Sequence, residues 1–189
     1  LGVVSSGIAR LPLLSTLVGA AIRQIGIGRF TVVDAVAGWG LRPSASKAQA
    51  YARKHQLPYL ALEDGFLRSF GTGDHFPPLS LVMDDAGIYY DCTRPSALEH
   101  LLASAADVLQ PDAETVRRAR AQLLQAGLSK YNHAPDLPVG MLRPQDVQRV
   151  LVVDQTAGDM SVALGGRMRK PLPPCWLRPY QKTRRLRCM

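Results

Sequence analysis

Short β-forming runs alternate with helix-periodic segments along this chain, and that alternation restricts its fold more than any other feature. LGVVSS (1–6), FTVVDAVA (30–37) and PYLAL (58–62) read as strands. After the first, Gly7 opens a stretch in which Leu13, Leu14, Leu17, Val18 and Ala21 fall at helical spacing. After the second, Gly38-Trp39-Gly40 closes the strand, and Arg42-Pro43-Ser44 leads into a helix over 44–54. Parallel strands need a crossover long enough to hold a helix, so this rhythm predicts an α/β fold, a parallel sheet with flanking helices. Further on, LSLVMDD (79–85) and GIYYD (87–91) read as two strands around a turn at Asp85-Ala86-Gly87. Ser96 caps a helix containing Leu98, Leu101 and Leu102; Asp112 with Glu114 starts another that ends near Gly127. Arg117, Arg118 and Arg120 spread around that second helix as a solvated face. Past the loop SKYNHAPDLPVG (129–140), VQRVLVVDQT (147–156) is again strongly β-forming.

Past Gly166 the pattern stops. Of the 23 Lys and Arg, eight lie in RMRKPLPPCWLRPYQKTRRLRCM (167–189), which holds no acid, so 15 basic and 15 acidic residues balance in the body. The net charge of +8 is therefore a property of the tail, and a neutral body argues against a nucleic-acid partner. Pro171, Pro173, Pro174 and Pro179 bar a helix through most of the tail. Either it is a basic arm, or it is not the sequence the fold was built with, as when a reading frame is lost. The expected division is a folded part, 1–166, and a disordered or frameshifted tail, 167–189. The body holds one cysteine, Cys92, which leaves no disulfide framework and no metal-ligand spacing. No run approaches the roughly 18 apolar residues of a membrane span, and LGVVSSGIARLPLL lacks the basic head of a signal peptide. A cytoplasmic protein is expected.

In a parallel α/β sheet, ligands bind beyond the carboxyl ends of the strands. Three polar clusters fall at such ends: Arg42-Pro43-Ser44, Glu63-Asp64-Gly65, and Asp154-Gln155 through Asp159-Met160-Ser161. Singly, Glu63 or Asp64 is more often a turn or cap residue. Together, adjacent carboxylates near an arginine can divide acid, base and anion-binding roles, because a charged neighbour shifts each pKa in a defined direction. Arg42 and Arg68 can grip a carboxylate or phosphate by paired hydrogen bonds. There is no Walker A loop, no complete dinucleotide fingerprint and no nucleophile elbow, and His55, His75, His100 and His133 share no spacing. The residues by themselves specify an anion-handling α/β half-domain.

GWGLRPSA (38–45), LEDGFLRS (62–69), PPLSLVMDDAGIYYDCTRPSALE (77–99), LSKYN (128–132) and VLVVDQTAGDMSV (150–162) carry a resemblance to a known family. In order and spacing, over about residues 2–165, the chain resembles the capsular polysaccharide β-Kdo transferases of the KpsC type, specifically their N-terminal module. The resemblance implies a GT-B-like fold of two Rossmann-like halves, of which this chain is the acceptor-side one. It implies transfer of 3-deoxy-manno-octulosonic acid (Kdo) from CMP-β-Kdo, with retention, to a phosphatidylglycerol-based lipid acceptor. Retention by two displacements needs a carboxylate nucleophile. Carried over by motif, that is Asp159, with Asp64 as the alternative; Glu63 and Asp64 serve the acceptor side, one of them as general base. Arg42 and Arg68 would meet Kdo carboxylates, with Ser69, Gln155 and Ser161 as further substrate contacts. Neither a cofactor nor a metal is implied. The implied partners are the CMP-Kdo donor, the lipid-linked acceptor, other capsule assembly and export proteins and the inner-membrane surface of a Gram-negative cell, where the protein would sit peripherally.

The family pattern continues, after a motif like GDMSV, into a His-Pro-Asp segment that helps to hold CMP, and this chain has the basic tail there instead. A truncated module without its nucleotide-binding half is therefore expected, and with it no transferase activity from this polypeptide alone. The competing reading is a non-catalytic export or scaffold component that binds the lipid-linked polysaccharide.

Overall fold

The computed structural model describes residues 1–26, 31–73, 75–110, 112–136, 138, 140 and 159–165. β1 (Gly2–Val3), β2 (Arg23–Gln24), β3 (Val36–Trp39), β4 (Tyr59–Asp64) and β5 (Leu81–Asp84) form one sheet in the order β2-β1-β3-β4-β5. β1 to β4 pair in parallel, while β5 joins β4 antiparallel, with Ala61 opposite Asp84 and Asp64 opposite Leu81. The α/β class is that expected from the sequence; the antiparallel edge strand departs from an all-parallel sheet.

Every residue of β3 is buried, because successive side chains enter opposite layers and both are covered. Ala37 and Trp39 join Val3, Leu62, Ile8 of α1 (Ser6–Ala9) and Leu14 of α2 (Leu14–Val18). Val36 packs instead with Ile25, Val33 and the Ala48, Tyr51 and Ala52 side chains of α3 (Pro43–His55). A Cβ on Gly38 would lie 2.8 Å from the Ala45 Cα, so glycine lets α3 rest directly on the strand. Pro43 opens α3, and Arg53, Lys54 and His55 complement the dipole in its last turn.

Several elements differ from the sequence expectation. The helical stretch after Gly7 breaks into α1 and α2, since Pro12 donates no backbone hydrogen bond and Leu13 takes a left-handed φ of 62°. The second strand lies at Val36–Trp39, where β1 and β4 pair with it, and residues 31–35 of the expected 30–37 are not part of it. β2 carries no apolar signal, both of its residues being exposed. The third strand extends to Asp64, so Glu63 and Asp64 are strand residues paired with Val82 and Leu81, not turn residues.

The strand expected at 87–91 does not form. The Asp84 carboxylate accepts the Ala86 and Gly87 N–H groups at 2.8 and 2.7 Å, and the Ala97 N–H at 2.9 Å, which ties this loop to α4 (Ala97–Ala103). Ser96 caps α4 in a capping box with Glu99, as its sequence predicts. α5 (Ala113–Gln125) and α6 (Met160–Leu164) complete the described elements. The expected strand at 147–156, with Gln155, and the tail at 167–189 lie outside the described residues. No helix among the described residues is long and apolar enough to cross a membrane.

Candidate functional site

β3 and β4 end side by side, and glycine turns the chain after each. Gly40, at φ +52°, has no room for a side chain: a Cβ there would stand 2.7 Å from the Tyr90 hydroxyl and 2.9 Å from Glu63 Oε2. Gly65 is equally confined by Ser80, whose carbonyl accepts its N–H at 3.0 Å. Beyond these turns lies a cleft of about 660 Å³. Arg42, Glu63, Asp64, Asp159 and Ser161 line it, together with Trp39, Tyr89, Tyr90, Lys130 and Tyr131.

Glu63 is held at both oxygens. Its Oε1 accepts the Trp39 indole N–H at 3.1 Å and the Asp64 N–H at 3.0 Å, and Oε2 accepts the Tyr90 hydroxyl at 3.3 Å. Burial first, and then the charge of Glu63, push the Tyr90 phenol well above its ordinary pKa and keep it a donor. Asp64 Oδ1 forms an ion pair with Arg68 Nε at 2.7 Å. The same guanidinium donates from Nη1 to Ser69 Oγ at 2.8 Å and to the Phe76 carbonyl at 2.7 Å. Ser69 is buried and donates its hydroxyl to the Gly71 carbonyl at 2.7 Å. Arg68 and Ser69 thus stand behind the cleft wall, where they brace the loop that carries Asp64, and do not line it.

Asp159 reaches the cleft as the N-cap of α6, whose other end is tied down by the Cys92 N–H donating to the Leu164 carbonyl at 3.1 Å. Its Oδ1 accepts the Ser161 N–H and the Ser161 hydroxyl, each at 2.9 Å. Those two bonds, the backbone one first, hold its pKa below the ordinary carboxylate range, and the Lys130 charge adds to the effect. Asp159 is exposed and ionised at neutral pH. The Tyr89 phenol is raised first by burial and then by the charges of Glu63, Asp64 and Asp159. Tyr89 lines the same cleft as all three carboxylates.

Three carboxylates with distinct surroundings can divide the work of a two-step displacement. Asp159 is ionised and keeps Oδ2 without a partner among the described residues, as does Asp64 beside its arginine. Glu63 is fully engaged as an acceptor. Among the described residues, no group of three or more His, Cys, Asp or Glu could hold a metal ion. Of the residues singled out from sequence, Arg42, Glu63, Asp64, Asp159 and Ser161 meet in the cleft; Gln155 lies outside the described residues. Trp39, Tyr89, Tyr90, Lys130 and Tyr131 join them there without a site signal in the sequence. Tyr89 and Tyr90 read as strand alternation, and Lys130 and Tyr131 as part of a loop.

A family model, that of the capsule polysaccharide biosynthesis proteins, matches residues 34–139, more than half of the chain. The chain belongs to the capsule polysaccharide biosynthesis family. The capsule polysaccharide modification protein LipA of Neisseria meningitidis serogroup A is 49% identical to it over 166 residues, which are 86% of this chain and 23% of LipA. The lipopolysaccharide-processing protein LpsZ of Rhizobium meliloti is 43% identical over 131 residues, 67% of this chain and 29% of LpsZ. Among solved structures, the KpsC of Thermosulfurimonas dismutans, a beta Kdo 2,4 transferase, superimposes with a TM-score of 0.78 at 44% identity. That match covers 87% of this chain and 51% of the KpsC chain. This member of the capsule family thus spans about a quarter of the curated relatives it matches and half of the solved transferase. It shares with that transferase the mostly parallel α/β sheet at whose carboxyl edge the cleft lies.

Proposed function

We propose that this chain is the acceptor-side, Rossmann-like half of a GT-B-type β-Kdo transferase module acting in capsule polysaccharide biosynthesis. The observation that carries this reading is the meeting of Glu63, Asp64 and Asp159 in one cleft, in a chain 44% identical to a beta Kdo 2,4 transferase. In the reaction we assign, an Asp159 carboxylate oxygen attacks C2 of Kdo, and the bond to the CMP phosphate breaks with its electrons leaving on CMP. Kdo is then an ester of Asp159. Asp64, whose second oxygen is open, takes the proton of an acceptor hydroxyl, which attacks C2 and expels the Asp159 carboxylate. Two inversions give net retention. Glu63 holds Trp39 and Tyr90 in place, and Arg68 orients Asp64.

The donor is CMP-β-Kdo and the acceptor a Kdo-bearing, phosphatidylglycerol-based lipid, met by a cytoplasmic protein seated peripherally on the inner membrane beside other capsule assembly and export proteins. The nucleotide is assigned to the other half of the module, so the chain by itself gives no transfer. A chimera tests this: residues 1–165 replace the matched half of the Thermosulfurimonas dismutans KpsC. Kdo transfer by the chimera, absent from the isolated chain, is the expected result. A folded chimera without transfer, or turnover by the isolated chain, would overturn the assignment. Full transfer by an Asp159→Ala chimera would remove Asp159 from the nucleophile's role.

A further inference from the structure

We infer that Lys130 is the residue that takes the carboxylate of the transferred sugar acid, beside Asp159. The inference rests on the Kdo-transfer reading above and adds to it the origin of selectivity for an acidic sugar. Two cationic side chains line the cleft among the described residues, Arg42 and Lys130. Arg68, the more persuasive anion binder in the sequence, is already committed to Asp64, Ser69 and the Phe76 carbonyl.

The backbone of Lys130 is fixed. Its carbonyl accepts the Arg68 and Ser69 N–H groups at 3.1 and 3.3 Å, Tyr131 bridges to Ser69, and the Asn132 N–H donates to the Phe70 carbonyl at 2.7 Å. Asn132 Oδ1 closes the turn by accepting the Ser129 N–H at 2.8 Å. The ammonium lies 5.9 Å from the Tyr131 ring centroid, within cation–π reach. It has no hydrogen bond or ion pair with any described residue, and it lines the same cleft as Asp159, whose lowered pKa its charge adds to.

The chemistry of the sugar gives a cation in the same cleft as Asp159 a role. In a 2-keto sugar acid the carboxyl carbon is bonded directly to the anomeric carbon. A carboxylate nucleophile attacking that carbon therefore approaches another carboxylate closely, and the two anions repel. A cation that serves both relieves the repulsion and selects for the acid over a neutral sugar. Lys130 is placed to do so; an ammonium, as a mobile point charge, can follow the sugar carboxylate through both displacements.

The test uses the 189-residue chain and ligand-observed NMR with the methyl β-glycoside of Kdo, its neutral methyl ester and, as competitor, glycerol 3-phosphate. The unaltered chain is expected to prefer the acid to the ester by about tenfold. Lys130→Met should remove that preference, Lys130→Arg should restore most of it, and circular dichroism should show both variants folded. An unchanged preference in folded Lys130→Met would overturn the inference while leaving the Kdo reading standing. Lack of any acid preference in the unaltered chain would likewise overturn the inference, whereas the Kdo reading falls only if the folded chimera gives no transfer. If Lys130→Met does not fold, salt titration of the unaltered chain decides: acid binding insensitive to salt contradicts a charge partner. Displacement of the sugar acid by an equal concentration of glycerol 3-phosphate would assign Lys130 to a phosphate and overturn the inference.

Discussion

At the scale of single residues, the cleft depends on small groups that leave room for charged ones. Gly40 is the clearest case, with a positive φ and two cleft oxygens within 3 Å of where a Cβ would stand. Gly19 has the same backbone sign, φ +65°, and nothing within 4 Å. Gly19→Ala should therefore cost only the left-handed backbone term, about 1–2 kcal/mol. Gly40→Ala should cost more and separate Glu63 from Tyr90. Chemical denaturation of the two variants measures the difference; equal losses would mean that the Gly40 contacts do not constrain the site. Asp159 carries a second prediction. Its pKa is depressed chiefly by Ser161, so the ionised form persists below the ordinary Asp value of about 3.9. Ser161→Ala removes one of the two bonds, which should raise the folded pKa and shift the acid limb of transfer, measured in the chimera, to higher pH. An acid limb that does not move would separate Asp159 from the titration that controls the rate.

At the scale of elements, loops held by carboxylates join the sheet to its helices. Asp84 is 5% exposed and binds three backbone N–H groups across two segments. Burial works to raise its pKa, and the N–H bonds, those from Gly87, Ala86 and Ala97 foremost, more than reverse that, leaving it lowered. A folded pKa below the unfolded one means stabilisation that is full above the unfolded value, about 3.9, and lost as pH falls through the folded one. Asp84→Asn should therefore cost about 2 kcal/mol at neutral pH and flatten the loss of stability below about pH 4. Asp91, also lowered, chiefly by the Thr93 hydroxyl, keeps part of that limb in place. An acid limb identical to that of the parent would show Asp84 to be incidental. This network also shows what the sequence can and cannot disclose. The Ser96 capping box is legible because its partners lie three residues apart. The second strand of the expected hairpin misleads because Gly87-Ile88-Tyr89-Tyr90 has β-forming composition, while the bond that redirects it comes from Ala97, 13 residues from Asp84. β2 is silent because it buries nothing. Arg68 shows its chemistry in the sequence but not its commitments, and Lys130 enters the cleft only once the 129–132 turn is docked on 68–70.

At the scale of the whole molecule, the α/β sheet brings residues 42, 63 and 159 into one cleft, and that placement supports an assignment to capsule Kdo transfer. The chain covers 51% of the solved KpsC chain, and the account makes it one wall of a two-walled site. Several large apolar side chains stand in solvent, among them Phe66, Phe70, Leu79, Leu102 and Leu124, each at least 60% exposed. The most direct test joins that wall to the other one. The chimera described above is incubated with freshly generated CMP-Kdo and no acceptor, digested, and its peptides weighed by mass spectrometry. The account predicts one Kdo residue on the peptide that carries Asp159, released when acceptor is added and absent from Asp159→Ala. An adduct on the peptide that carries Asp64, or a chimera that transfers Kdo without forming any adduct, would contradict it.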